Sequence, residues 1–75
     1  MDEKMKVLLD KINMDKEKYP YFSSCKLTKI KIHRKTNSWE VFISNNTSLP
    51  LEVIKELEEK KSLLDKQAKD ITFIW

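Results

Sequence analysis

The side chains of this sequence that could act as nucleophile, base or zinc ligand are one thiol and one imidazole. Cys25 and His33 are eight residues apart, on or near one predicted strand, which is too far for a nucleophile and its base to be in contact. A structural zinc site needs about four such ligands, and the chain has no other cysteine or histidine. We therefore expect Cys25 to fill the core and His33 to be solvated at the end of a hairpin.

Carboxylates in the second half of the chain are the other group that could do chemistry. They alternate with lysines in one predicted helix: Glu52, Glu56, Glu58 and Glu59 among Lys55, Lys60 and Lys61. This alternation is typical of a solvated helix face rather than of a metal site. The chain also lacks glycine, which phosphate-cradling loops need so that backbone amides can approach the ligand. The sequence therefore predicts no catalytic site, no metal site and no bound cofactor.

The whole chain has a net charge of +3, and its positive charge is concentrated in one segment. Residues 18–39 contain six cations and no acid: Lys18, Lys26, Lys29, Lys31, Arg34 and Lys35. A local positive field of this kind attracts acidic proteins or a phosphate backbone.

Length and composition favour one small globular domain over residues 1–75, with a single core. No apolar run is long enough to cross a membrane. The single cysteine cannot form an internal disulfide, which suits the reducing cytoplasm. The sequence stops directly after a predicted strand, at Trp75, so we expect it to be the first part of a longer chain.

Hydrophobic periodicity predicts two helices and three strands in the order α-β-β-α-β. The first helix covers residues 2–12, and a connector over 14–24 follows, in which Pro20 favours an extended chain at Tyr19. Residues 27–33 and 38–44 form a hairpin around a polar turn. Leu49-Pro50 opens the second helix, with a break near Ser62, and a third strand follows from Ile71. A right-handed crossover makes the third strand parallel to the second. The fold class is therefore α+β, a two-layer sandwich with a three-stranded mixed sheet and its helices on one face.

Strand alternation assigns each side chain of this sheet to one of two faces. The face expected beneath the helices is aliphatic and aromatic: Ile30, Ile32, Trp39, Val41, Ile43, Ile71 and Phe73. The outer face mixes charged and apolar groups: Lys29, Lys31, His33, Glu40, Phe42 and Ile74.

Three interpretations of the outer face remain open. Phe42 and Ile74 are candidates for docking a protein partner. The cations beside an aromatic side chain are candidates for binding single-stranded nucleic acid by charge and stacking: Lys29, Lys31, His33, Arg34 and Lys35. The lysines are equally suited to protecting the sheet from edge-to-edge aggregation.

Several short motifs, in their order and spacing, resemble one protein family over nearly the whole chain, roughly from Met5 to Trp75. They are Ile12-Asn13-Met14 after the first helix, Lys29-Ile-Lys-Ile-His-Arg34, Ser38-Trp39 and Leu49-Pro50. Together they resemble the extreme amino terminus of the PolC-type DNA polymerase III alpha subunit, the replicative polymerase of low-GC Gram-positive bacteria.

This resemblance implies a cytoplasmic replisome protein that is a DNA-directed DNA polymerase with 3′–5′ exonuclease activity. Its active sites and divalent metals would belong to downstream regions, because no position here matches their motifs. The module itself would be non-catalytic and similar to small type II KH-like docking domains. Since the chain lacks the Gly-x-x-Gly loop with which KH domains clamp nucleic acid, the resemblance favours protein docking. The clamp-loader tau subunit is the candidate partner, single-stranded DNA is the alternative ligand, and a structural cap on the next domain is a third possibility.

Overall fold

The computed structural model describes residues 1–75 and contains two α-helices, two short 3-10 helices and three strands. The elements follow in the order α1 (Glu3–Lys11), a first 3-10 helix (Lys16–Phe22), β1 (Lys26–His33), β2 (Ser38–Ser44), α2 (Leu51–Lys60), a second 3-10 helix (Lys61–Leu63) and β3 (Asp70–Ile74). The strand order is β1-β2-β3; β1 pairs antiparallel and β3 parallel with β2. The predicted α+β class and its α-β-β-α-β order are confirmed. No helix is long and apolar enough to span a membrane.

Helix α1 is capped at its start by a side chain and at its end by a turn in the backbone, and neither cap needs a glycine. The Asp2 carboxylate accepts a hydrogen bond from the Met5 amide at 3.1 Å, which caps the helix. At the other end Asn13 has φ 57°, and the Met14 amide donates to the Leu9 carbonyl at 3.0 Å. This is a Schellman-type ending, in which asparagine takes the left-handed position usually held by glycine.

The connector after α1 is more regular than the sequence indicated. Residues Lys16–Phe22 form a 3-10 helix that includes Pro20, whereas an extended chain at Tyr19 was expected, so that prediction was wrong. The Pro20 carbonyl accepts a hydrogen bond from the Ser23 amide at the end of this helix, and the Asp15 side chain caps its start. The connector thereby directs Phe22 fully into the core.

The core is entirely hydrophobic and lies between the helices and the sheet. It contains thirteen buried side chains: Met5, Leu8, Leu9, Ile12, Met14, Phe22, Cys25, Val41, Ile43, Val53, Leu57, Ile71 and Phe73. The expectation that Cys25 fills the core is confirmed.

The expectation that Ile30 and Ile32 lie beneath the helices was wrong. They share the helix-side face with Val41 and Trp39, their partners in the register, but remain 40% and 53% exposed. The reason is a mismatch of lengths, since nine residues of α1 span roughly 14 Å and eight residues of β1 span roughly 27 Å. One end of the helix-side face of β1 is therefore open to solvent.

Candidate functional site

A β-bulge near the start of β1 decides which cations reach the outer face of the sheet. Leu27 pairs with Ile43 and Lys29 pairs with Phe42, so the register shifts at Thr28. The Thr28 hydroxyl donates to the Phe42 carbonyl at 3.1 Å, and the Leu27 amide donates to the Asp2 carboxylate at 3.2 Å. Both contacts engage backbone groups next to the bulge.

The same bulge places Lys26 on the outer face, opposite Ser44, together with Lys29. Lys26 was not expected on this face from the sequence. A signal was present, because Leu27 and Ile30 are three residues apart and can share one face of a strand only across an extra residue.

The two central lysines of the outer face lie over the ring of Phe42. The Lys29 and Lys31 ammonium nitrogens are 4.8 and 5.6 Å from the ring centre, within the range of cation–π attraction. Phe42 pairs with Ile74 on β3, and both side chains are half-buried. Phe42 and Ile74 thus form a small apolar patch that is bordered by positive charge.

An acidic side chain interrupts the positive charge on this face. The Glu40 carboxylate contacts the His33 imidazole at 2.6 Å and lies directly across the hairpin from Lys31. Both members of this contact are at least 36% exposed, so its contribution to stability is small. His33 is solvated at the hairpin end, as expected, but its ring is already engaged by an anion.

The hairpin turn holds the remaining two cations apart from this patch. Arg34 and Lys35 are exposed and make no ion pair. The turn itself is anchored by Asn37, which has φ 53° and accepts a hydrogen bond from the Lys69 amide at 2.7 Å. Its side chain also donates to the Gln67 carbonyl. The structure therefore brings Lys29 and Lys31 against Phe42, with Ile74 beside it, whereas Arg34 and Lys35 project from the end of the hairpin.

A groove on the helix side of β1 was not anticipated by the sequence analysis. It measures about 150 Å³, and six apolar side chains and two lysines line it: Val7, Leu8, Leu27, Ile30, Trp39, Leu64, Lys4 and Lys11. No carboxylate lines it. Val7 was the available signal, because it lies outside the apolar stripe of α1 and is 52% exposed. We call these eight residues the β1 groove.

The carboxylates of α2 behave differently from one another. Glu56 was expected on a solvated face, but its side chain is only 13% exposed. It accepts hydrogen bonds from the Asp15 amide at 3.0 Å, from Lys18 at 2.5 Å and from Lys60 at 3.1 Å. The Asp15 amide, followed by Lys18, lowers the pKa of Glu56 from 4.5 to about 2. No three of the Asp, Glu, His and Cys side chains are close enough together to hold a metal ion.

The other groups with shifted pKa values are also engaged within the fold. Burial, helped by a 2.6 Å hydrogen bond to Asp10, raises the pKa of Tyr19 to about 12. Burial raises the pKa of the Cys25 thiol, which makes this cysteine a weak nucleophile at neutral pH. The hydrogen bond to Glu56 raises the pKa of Lys18. Each of these groups joins two segments of the chain or lies in its core.

The chain resembles one known protein family over nearly its whole length. No curated protein and no solved structure matches the chain significantly. One family model, that of the DNA polymerase III PolC-type N-terminus I, matches residues 4–73. Since the match covers all the strands and helices apart from the first residue of α1 and the last of β3, the chain belongs to the family of PolC-type DNA polymerase III N-terminal I domains.

Proposed function

We propose that this domain is a non-catalytic docking module, which joins a PolC-type polymerase to another protein of the cytoplasmic replisome. The clamp-loader tau subunit is the first partner to test. Polymerisation, 3′–5′ exonuclease activity and the divalent metal that both require are assigned to other parts of the parent chain. The role of this domain is then to hold the enzyme in place.

The observation that carries this proposal is the apolar surface on both sides of the β1–β2 hairpin. On the helix side, Ile30 and Ile32 are both exposed, and Ile30 lines the β1 groove. On the outer side, Phe42 and Ile74 form a half-buried patch. Apolar surface rimmed by charged groups is typical of protein–protein interfaces, and the groups with shifted pKa values are occupied in holding the fold together.

Binding of the 75-residue chain to purified replisome proteins tests the proposal. We expect one of them, with tau tested first, to bind the chain. Phe42→Ala and Ile74→Ala should weaken binding if the outer patch takes part, whereas Leu51→Ala, a change at an exposed leucine of α2, should not. Unchanged affinity in both outer-face variants removes that patch from the interface. If none of the replisome proteins binds, the docking function is wrong.

The alternative function is binding of single-stranded DNA, and the cation-rich outer face is the observation that favours it. Lys29, Lys31, Arg34 and Lys35 could make four phosphate contacts, with Lys26 adding a fifth. Four contacts predict a slope of log K against log salt of about −3, at roughly −0.7 per contact. Titration of an oligothymidylate at two salt concentrations measures this slope, and absence of binding at low salt excludes the alternative. Glu40 weighs against it, because this carboxylate lies among the cations.

A further inference from the structure

We propose that the free edge of β1 takes up an extended segment of the partner protein, in which aliphatic residues alternate with acidic residues. The segment would pair with β1 as a fourth strand of the sheet. This inference rests on the proposed docking function and specifies the interface and the chemistry of the segment that fills it.

The backbone of β1 has hydrogen-bonding groups available for such a strand. β1 is an edge strand, because β2 separates it from β3. In an antiparallel pair, alternate residues direct their N–H and C=O groups away from the partner strand. The Leu27 amide is already bound by Asp2, but the backbone of residues 29–32 makes no hydrogen bond outside the sheet. Residues 29–32 are therefore the part of the edge at which pairing can begin.

The side chains on the two faces of β1 define what an added strand must carry. On the helix side Ile30 and Ile32 are 40% and 53% exposed, and on the outer side Lys29 and Lys31 are exposed. The Cβ atoms of residues directly opposite one another on neighbouring strands lie about 4.5–5.5 Å apart. An added strand would thus bury aliphatic groups beside the isoleucines and bring carboxylates to the lysines, with a period of two.

The β1 groove extends this match beyond the strand itself. Its volume of about 150 Å³ is smaller than the roughly 300–1,000 Å³ of typical ligand pockets. It can accept one or two aliphatic side chains from a neighbouring strand. Lys4 and Lys11 line the groove without any carboxylate, so negative charge on the incoming segment is favoured on this face as well.

Charge also excludes a second copy of the chain as the occupant. Antiparallel pairing of β1 with itself would place lysines of one copy against lysines of the other, and like charges directly opposite destabilise a sheet. A helix lying over the groove would bury Ile30 and Ile32 but leave the edge of β1 unpaired. An acidic extended segment satisfies the backbone, the isoleucines and the lysines together.

Amide hydrogen exchange in the 75-residue chain, followed by NMR, tests this inference. The probe is a synthetic peptide that alternates valine with glutamate and has blocked ends. We expect it to slow exchange of amides within residues 29–33, since backbone pairing protects them. A peptide that alternates valine with lysine is the control, and it should leave exchange unchanged. Binding that shifts the Val7 and Leu64 methyl signals without protecting β1 amides would show side-chain docking and overturn the inference.

Two substitutions with matched controls test the two faces of the added strand. Ile32→Ser should weaken peptide binding about tenfold, because aliphatic burial beside β1 is lost, whereas Leu51→Ser, at an exposed leucine on α2, should have no effect. Lys29→Glu should weaken it by a similar factor, whereas Lys66→Glu, at an exposed lysine before β3, should not. Equal affinities for each variant and its control would contradict the proposed segment.

Three outcomes separate strand addition at β1 from the docking function. If a replisome protein binds the chain and Ile32→Ser leaves its affinity unchanged, the docking function stands and strand addition is wrong. If the peptide protects β1 but no replisome protein binds, the edge site stands and the docking function is wrong. If oligothymidylate shifts the Lys29 and Lys31 signals and the peptide protects nothing, the surface binds nucleic acid and strand addition is wrong.

Discussion

Among individual residues, Glu56 attaches the first half of the chain to α2 through several hydrogen bonds. It receives the Asp15 amide and the Lys18 ammonium group from the connector, and Lys60 from its own helix. Lys60 in turn donates to the Asn13 carbonyl at 3.0 Å. One carboxylate therefore holds the end of α1, the first 3-10 helix and α2 together.

Glu56→Gln should lower the free energy of unfolding at pH 7 by about 2 kcal/mol, since hydrogen bonds to a charged group are lost. The folded-state pKa of Glu56 is depressed from 4.5 to about 2, so its contribution is complete above pH 4.5 and disappears as the pH falls toward 2. The difference between wild type and Glu56→Gln should shrink over that interval. Chemical denaturation at several pH values measures it.

Glu59→Gln is the matched control, because Glu59 is exposed on the same helix and makes no hydrogen bond or ion pair. It should change the stability by less than about 0.5 kcal/mol. A difference between wild type and Glu56→Gln that stays constant from pH 7 to pH 2 would contradict the assigned role of Glu56.

At the scale of elements, the start of α1 and the bulge of β1 depend on one side chain. The Asp2 carboxylate caps α1 through Met5 and also accepts the Leu27 amide, next to the bulge at Thr28. The bulge turns Leu27 toward the core and Lys26 toward the outer face. A local capping interaction thus helps to set the composition of the candidate binding surface.

Asp2→Ala should destabilise the chain by about 1–2 kcal/mol, because the helix cap is lost and the Leu27 amide loses its acceptor. Asp2→Asn keeps a side-chain oxygen that can cap and should be close to wild type in stability. Denaturant melts give the stabilities, and NMR gives the exchange rate of the Leu27 amide. Unchanged protection of that amide in Asp2→Ala would mean that Asp2 does not support the bulge.

Sequence reasoning predicted the elements well where local periodicity decides them. The alternation in residues 38–44 predicted β2 with its observed bounds, and the crossover rule predicted its parallel pairing with β3. It failed at Ile30 and Ile32, because alternation assigns a side chain to a face but does not say whether a helix covers that face. It also missed the hydrogen bonds that Glu56 makes to the connector. These join residues that are far apart in the sequence, with separations of 41 positions for Asp15 and 38 positions for Lys18.

At the scale of the whole molecule, the helix layer is incomplete over β1. The core is closed between the helices and the β2–β3 side, where Val41, Ile43, Ile71 and Phe73 are all buried. Toward β1 the same face ends in exposed isoleucines and the β1 groove. For a domain of the PolC-type N-terminal I family, this open side is the surface at which we expect attachment to the replisome.

Amide hydrogen exchange of the 75-residue chain, alone and with each purified replisome protein in turn, tests this account most directly. We predict that one protein slows exchange, and that the new protection is concentrated in residues 29–33 of β1 rather than in α2. Protection confined to α2 or to the β3 edge would contradict the account, as would an exchange pattern that no replisome protein changes.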